Sequence, residues 1–140
     1  MAVYLALGMS GAALIARASL AAGESGALSV GTPITVTRYP VQGDSTDDHK
    51  VKVCADGAIP DAVVVAALDE TTAGKLCYLN NDRIPLRLGG AVARNDLLKV
   101  SGGKFVKCMT GDVGVAASNV TGAANDIVNG YGLKPGVTAP

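Results

Sequence analysis

The sequence predicts an all-β (mainly β) chain, a small β-barrel or β-sandwich with an extended apolar N-terminal arm. Three observations carry this. Short apolar runs recur at roughly ten- to twelve-residue intervals, the spacing of sandwiches and barrels. Gly, Asn and Asp punctuate them, as in Asn80-Asn81-Asp82, Gly89-Gly90 and Ser101-Gly102-Gly103. No long amphipathic helix pattern, exact internal repeat or low-complexity block interrupts the series.

The arm is assigned to residues 1–32, the β-rich body to 33–132 and an extended C-terminal tail to 133–140. Residues 3–22, VYLALGMSGAALIARASLAA, are mostly apolar. Arg17 and the Gly and Ser content argue against a membrane span, and Met1-Ala2 lacks the basic lead of a signal peptide. An arm or strand segment packing against the body or a neighbouring subunit is expected instead.

In the body, Ile34-Thr35-Val36-Thr37-Arg38-Tyr39 alternates and is β-branched. Pro33 and Pro40 bracket it, which points to an edge strand. The polar stretch 42–50, QGDSTDDHK, is an exposed loop. Further strand runs are Val51-Lys52-Val53-Cys54, Ala62-Val63-Val64-Val65-Ala66-Ala67 and Lys75-Leu76-Cys77-Tyr78-Leu79, then Ile84-Pro85-Leu86-Arg87-Leu88, Leu97-Leu98-Lys99-Val100 and Lys104-Phe105-Val106-Lys107-Cys108. Gly102-Gly103 before Lys104 marks a hairpin. Residues 68–74, with Thr71-Thr72, are expected to hold one short helical turn.

Composition narrows the function. Twelve basic and twelve acidic residues leave no net charge, so the basic excess of a nucleic-acid binder is absent. Charged residues are 17% of the chain and apolar ones 49%, with no Trp and one Phe, Phe105. Ala, Val and Leu bury little area each, at about 25 cal/mol per Å². Some stabilising area is therefore expected from subunit contacts.

No catalytic, cofactor-binding or metal-binding residues are assigned. His49 beside Asp44, Asp47 and Asp48 could grip a divalent cation, but the stretch lacks the spacing and closing Glu of a calcium loop. With one histidine there is no zinc cluster. Cys54, Cys77 and Cys108 have no C-x-x-C spacing and sit in apolar strand runs, as buried free thiols do. Gly8-Met9-Ser10-Gly11 misses the nucleophile-elbow spacing. Gly89-Gly90 and Gly102-Gly103-Lys104 miss the phosphate-loop spacing, and hairpin turns explain both. Lys107 falls inside a strand pattern, away from the hairpin tip where a carrier lysine would stand. Asn119-Val120-Thr121 matches the glycosylation sequon with no supporting context.

Four local patterns carry a resemblance. They are Ala66-Ala67-Leu68-Asp69 before Ala73-Gly74, the run from Gly89 to Lys99 leading into Gly102-Gly103, Gly111-Asp112-Val113-Gly114-Val115-Ala116, and Ala123-Ala124-Asn125-Asp126-Ile127-Val128. In order and spacing, residues 51–134 resemble small Gly/Ala-rich bacteriophage capsid decoration proteins, also called cement or head-stabilising proteins. The first forty residues depart from that pattern. The resemblance implies a structural virion protein, not an enzyme. It would clamp neighbouring major capsid subunits as a homotrimer on the outer capsid surface, after assembly in the host cytoplasm. No cofactor, nucleic acid or membrane is implied. The alternative is a surface-binding module for a glycan or receptor, with Phe105, Tyr78 and Tyr131 as stacking residues.

Overall fold

A computed structural model describes residues 15–80 and 83–140. Gly8-Met9-Ser10-Gly11 and most of the apolar stretch 3–22 lie outside the described residues. The architecture is all-β, a closed five-stranded barrel joined to a five-stranded sheet.

The barrel contains β1 (Ile15–Leu20), β2 (Pro33–Arg38), β3 (His49–Val53), β4 (Ala62–Ala66) and β5 (Gly74–Tyr78), in the order β1-β3-β2-β4-β5. β1 runs parallel to β3, with Ala18 opposite His49, and antiparallel to β5, with Ile15 opposite Cys77. Alternation sends one set of side chains inward. Ala18, Ile34, Val51, Ala62, Val64 and Leu76 are all fully buried there. Leu28 and Leu68 join this cluster, bridged backbone to backbone.

The sheet contains β6 (Ile84–Arg87), β7 (Leu97–Ser101), β8 (Lys104–Lys107), β9 (Val113–Ser118) and β10 (Ile127–Thr138), in the order β6-β10-β9-β7-β8. A parallel bridge between Leu88 and Phe105 brings its two ends together, so the sheet curls around its own core. Phe105 is fully buried there among Leu86, Leu88, Leu98, Val100 and Val115. Burying a side chain of this kind stabilises by roughly 2–3 kcal/mol.

β4 joins the two halves. Val64 and Ala62 face the barrel core, while Val63 faces the sheet core with Val65 half-buried beside it. A strand covered on both faces has no reason to alternate, hence the unbroken Ala62-Val63-Val64-Val65-Ala66. Cys77 and Cys54 enter the sheet core from the barrel in the same way.

Several expectations differ from the structure. Residues 15–20, placed in the arm, form β1 and close the barrel, and Ala18 is fully buried. Residues 133–138, placed in the tail, continue β10, where Thr138 pairs with Val113. The β10 register shifts between Gly132 and Val137, so Pro135 falls where no ladder bond is required. Residues 68–74 form a turn rather than a helical one: Asp69 Oδ1 accepts from Thr71 N at 2.9 Å and Thr72 N at 2.8 Å. These bonds give the backbone an alternative to the helix. Finally, β2 lies between β3 and β4. Only Pro33 and Ile34 pair on the β4 side, so the proline stands at the first residue of the strand, where its missing N–H matters least.

One turn occurs three times in the sheet half. In Ala93-Arg94-Asn95-Asp96, Met109-Thr110-Gly111-Asp112 and Ala123-Ala124-Asn125-Asp126 the third residue is left-handed, with φ of 70°, 89° and 71°. Each aspartate accepts the first residue's N–H, at 2.8, 2.8 and 2.9 Å. Asn and Gly are the residues that tolerate this backbone. β7, β9 and β10 each begin on the following residue.

The β7–β8 hairpin is as expected. Ser101 pairs with Lys104 around Gly102 and Gly103, whose φ values are 59° and 72°. Gly89-Gly90 is not a hairpin, because β6 and β7 do not pair. Gly89 instead donates to Phe105 O at 2.8 Å across the sheet closure. A Cβ at Gly89 would meet Val106 Cγ1 at 2.9 Å, so that approach excludes a side chain.

Candidate functional site

The acidic loop brings Asp44, Asp47, Asp48 and His49 close in sequence, but each side chain has a separate structural task. Asp47 receives Arg38 through both oxygens, at 3.1 and 2.7 Å, and Val41 N at 2.8 Å. The Arg38 hydrogen bonds, followed by that of Val41, hold its pKa down to about 2. Asp44 folds onto Thr46, accepting its hydroxyl at 2.6 Å and its N–H at 3.0 Å, and its pKa is lowered by those bonds. Asp48 is buried and faces Arg17 Nε at 3.0 Å, as an ion pair rather than an aligned hydrogen bond. His49 packs edge-on between Tyr39, at 5.5 Å between centroids, and Tyr78, at 5.8 Å. Among the described residues no three His, Cys, Asp or Glu side chains come together as a metal site.

Cys54 and Cys77 are buried, and Cys108 is half-buried. Burial pushes the Cys54 and Cys108 thiols up, away from the thiolate a nucleophile requires. Cys54 and Cys108 lie one residue past the ends of β3 and β8 rather than within them. Lys107 lies opposite Leu98 on β8, 3.6 Å from Asp96, and the hairpin tip is formed by the glycines. Of the three stacking candidates, Phe105 is fully enclosed in the core. Tyr78 and Tyr131 stand on β5 of the barrel and β10 of the sheet, both half-buried. Among the described residues no helix is long and apolar enough to cross a membrane.

These side chains provide ion pairs, ring packing and core volume. Among the described residues the outer surface of the barrel is a further candidate. The β4–β5 flank of the barrel is covered by the sheet core, which leaves the β1-β3-β2 flank outward. Across that flank Arg17 lies opposite Lys75, Ser19 opposite Lys50 and Thr35 opposite Lys52. The alternation that buries Ala18 and Val51 turns these side chains away from the core. Apolar side chains also reach the surface, with Met109 73% exposed and Tyr39 and Val41 each 59% exposed.

No protein-family model matches this sequence, and no curated protein matches it. The arrangement of barrel and sheet does have a counterpart. It is similar to the N base of head fiber gp8.5 in bacteriophage phi29. The TM-score with that crystal structure is 0.62, over 89% of this chain and 96% of that one. The two sequences are 16% identical, so the likeness to the phi29 base is one of fold. It spans both halves, and the barrel and sheet together form the shared unit.

The outward cationic flank was missed by the sequence reading. Its signal was available in the alternation of His49-Lys50-Val51-Lys52-Val53, but the partner strands that align it come from distant residues.

Proposed function

We propose that this chain is a structural protein of a bacteriophage virion, held on the outer surface of the head, where it stabilises the shell by clamping neighbouring major capsid subunits. One observation carries the reading: a fold shared over 89% of the chain with the base of a phage head fiber. In this reading the working form is a homotrimer, and the apolar N-terminal residues reach adjacent subunits. Modest contacts repeated on a lattice combine through avidity.

The test is co-sedimentation of the full chain with empty heads of its own phage, followed by cryo-electron microscopy of the occupied shells. Bound density at fixed lattice positions and a higher shell melting temperature are expected. Shells that remain bare at saturating protein would overturn the reading. The arm is tested by deleting residues 2–14 and stopping short of β1, which begins at Ile15. Full occupancy by that truncated chain would reject an anchoring arm.

A further inference from the structure

We infer that the outward flank of the barrel docks an acidic protein surface, through Lys50 and Lys52 beside the Asp47-paired Arg38. This rests on the head-attachment reading and names the chemistry of the surface that meets this flank.

Residues 15–80 carry five Lys and Arg side chains against eight carboxylates, yet the cations are segregated. All five stand on the neighbouring strands β5, β1, β3 and β2. Two of them are balanced, Arg17 by Asp48 and Arg38 by Asp47. Lys50 is held by a neutral partner, its Nζ donating to Ser19 Oγ at 2.8 Å. Lys52 and Lys75 make no ion pair among the described residues.

Lys50, Lys52 and Arg38 line one recess of about 450 Å³. Two alanines and Thr37 form the rest of its lining with a single carboxylate, Glu24. Small neighbours leave room for an incoming side chain. Lys52 makes no ion pair among the described residues, and Lys50 and Arg38 keep N–H donors beyond those given to Ser19 and Asp47, so an entering carboxylate would gain charge-assisted hydrogen bonds. A second recess, which Lys50 and its partner Ser19 also line, carries Arg17, Asp48, Asp69 and Glu70. A continuous phosphate chain crossing the flank would run into those carboxylates. A single acidic loop seated on Lys50 and Lys52 would not.

The experiment titrates the full chain with a capped hexaglutamate peptide at low salt, read by amide chemical shifts and fluorescence anisotropy. Shifts are expected at Ala21, Thr37, Lys50 and Lys52. The pair Lys50→Glu and Lys52→Glu should weaken binding by about tenfold or more, as removal of close charge pairs does. The pair Arg83→Glu and Arg94→Glu makes the same change of net charge in the sheet half and should alter affinity by less than about twofold. Equal weakening by both pairs, shifts confined to other surfaces, or tighter binding of a ten-nucleotide oligothymidylate would each overturn the inference. Should the first pair lose its cooperative melt, Lys52→Gln serves instead. A loss of about threefold supports the site, and unchanged affinity rejects it. Peptide binding that fails while the chain still occupies shells removes this inference alone. Bare shells remove the head-attachment reading on which it rests.

Discussion

Val63 and Val64 are neighbours in β4, both fully buried, and they point into different cores. Replacing either by alanine removes two methyl-sized groups, at about 0.8 kcal/mol each in transfer free energy. The partly relaxed cavity raises this to roughly 2–2.5 kcal/mol. For a chain of this length the unfolding entropy is about 0.3 kcal/mol per kelvin, so each substitution should lower the melting temperature by roughly 7 °C. Because β4 pairs with β2 and β5 while Val63 and half-buried Val65 pack in the sheet core, barrel and sheet should unfold together. Scanning calorimetry should show one transition in both variants, with calorimetric and van't Hoff enthalpies equal. Hydrogen exchange should show barrel and sheet peptides losing protection together. Two resolved transitions, with Val64→Ala moving only the barrel one, would refute this view of β4 as a shared wall.

Three further outcomes follow from the same geometry. In the native protein a maleimide should label half-buried Cys108 before Cys54 and Cys77, which should react only on unfolding; rapid labelling of Cys54 would contradict its enclosure. Asn125→Val places a β-branched residue at φ 71° and should cost about 1–2 kcal/mol in a urea melt, while Asn125→Gly should cost much less. Asp47 has a folded pKa of about 2, below its unfolded value. Its contribution is therefore complete above the unfolded carboxylate range and is lost as pH falls towards 2. The stability gap between wild type and Asp47→Asn, measured in urea, should be present at neutral pH and close in acid; a gap that widened on acidification would reverse the assignment.

Seven strand runs named from the sequence correspond to β2 through β8, with ends displaced by a residue or two. They were legible because each is short, apolar and bounded by turn residues. β1 was obscured because it continues a longer apolar stretch with no turn signal before it. The second half of β10 was obscured by Pro135 and Gly136, which signal a tail when long-range pairing to β9 is unknown. The threefold turn escaped notice because its shared content is one aspartate after one residue that tolerates a left-handed backbone. At the acidic loop, sequence proximity gathered Asp44, Asp47, Asp48 and His49 into one candidate. The structure disperses them, since Arg17, Arg38 and Tyr78 arrive from other strands and Tyr39 from the residue after β2.

By itself the sequence determined an all-β chain with small apolar strands, a glycine hairpin and thiols in apolar surroundings. These follow from local alternation, turn chemistry and residue size, and none needs a distant partner. Tertiary structure decided that the barrel closes on β1, that β4 serves two cores, and that Lys50, Lys52 and Arg38 share one recess. Those features depend on which strands become neighbours, and strand order is set by packing between residues far apart in the chain.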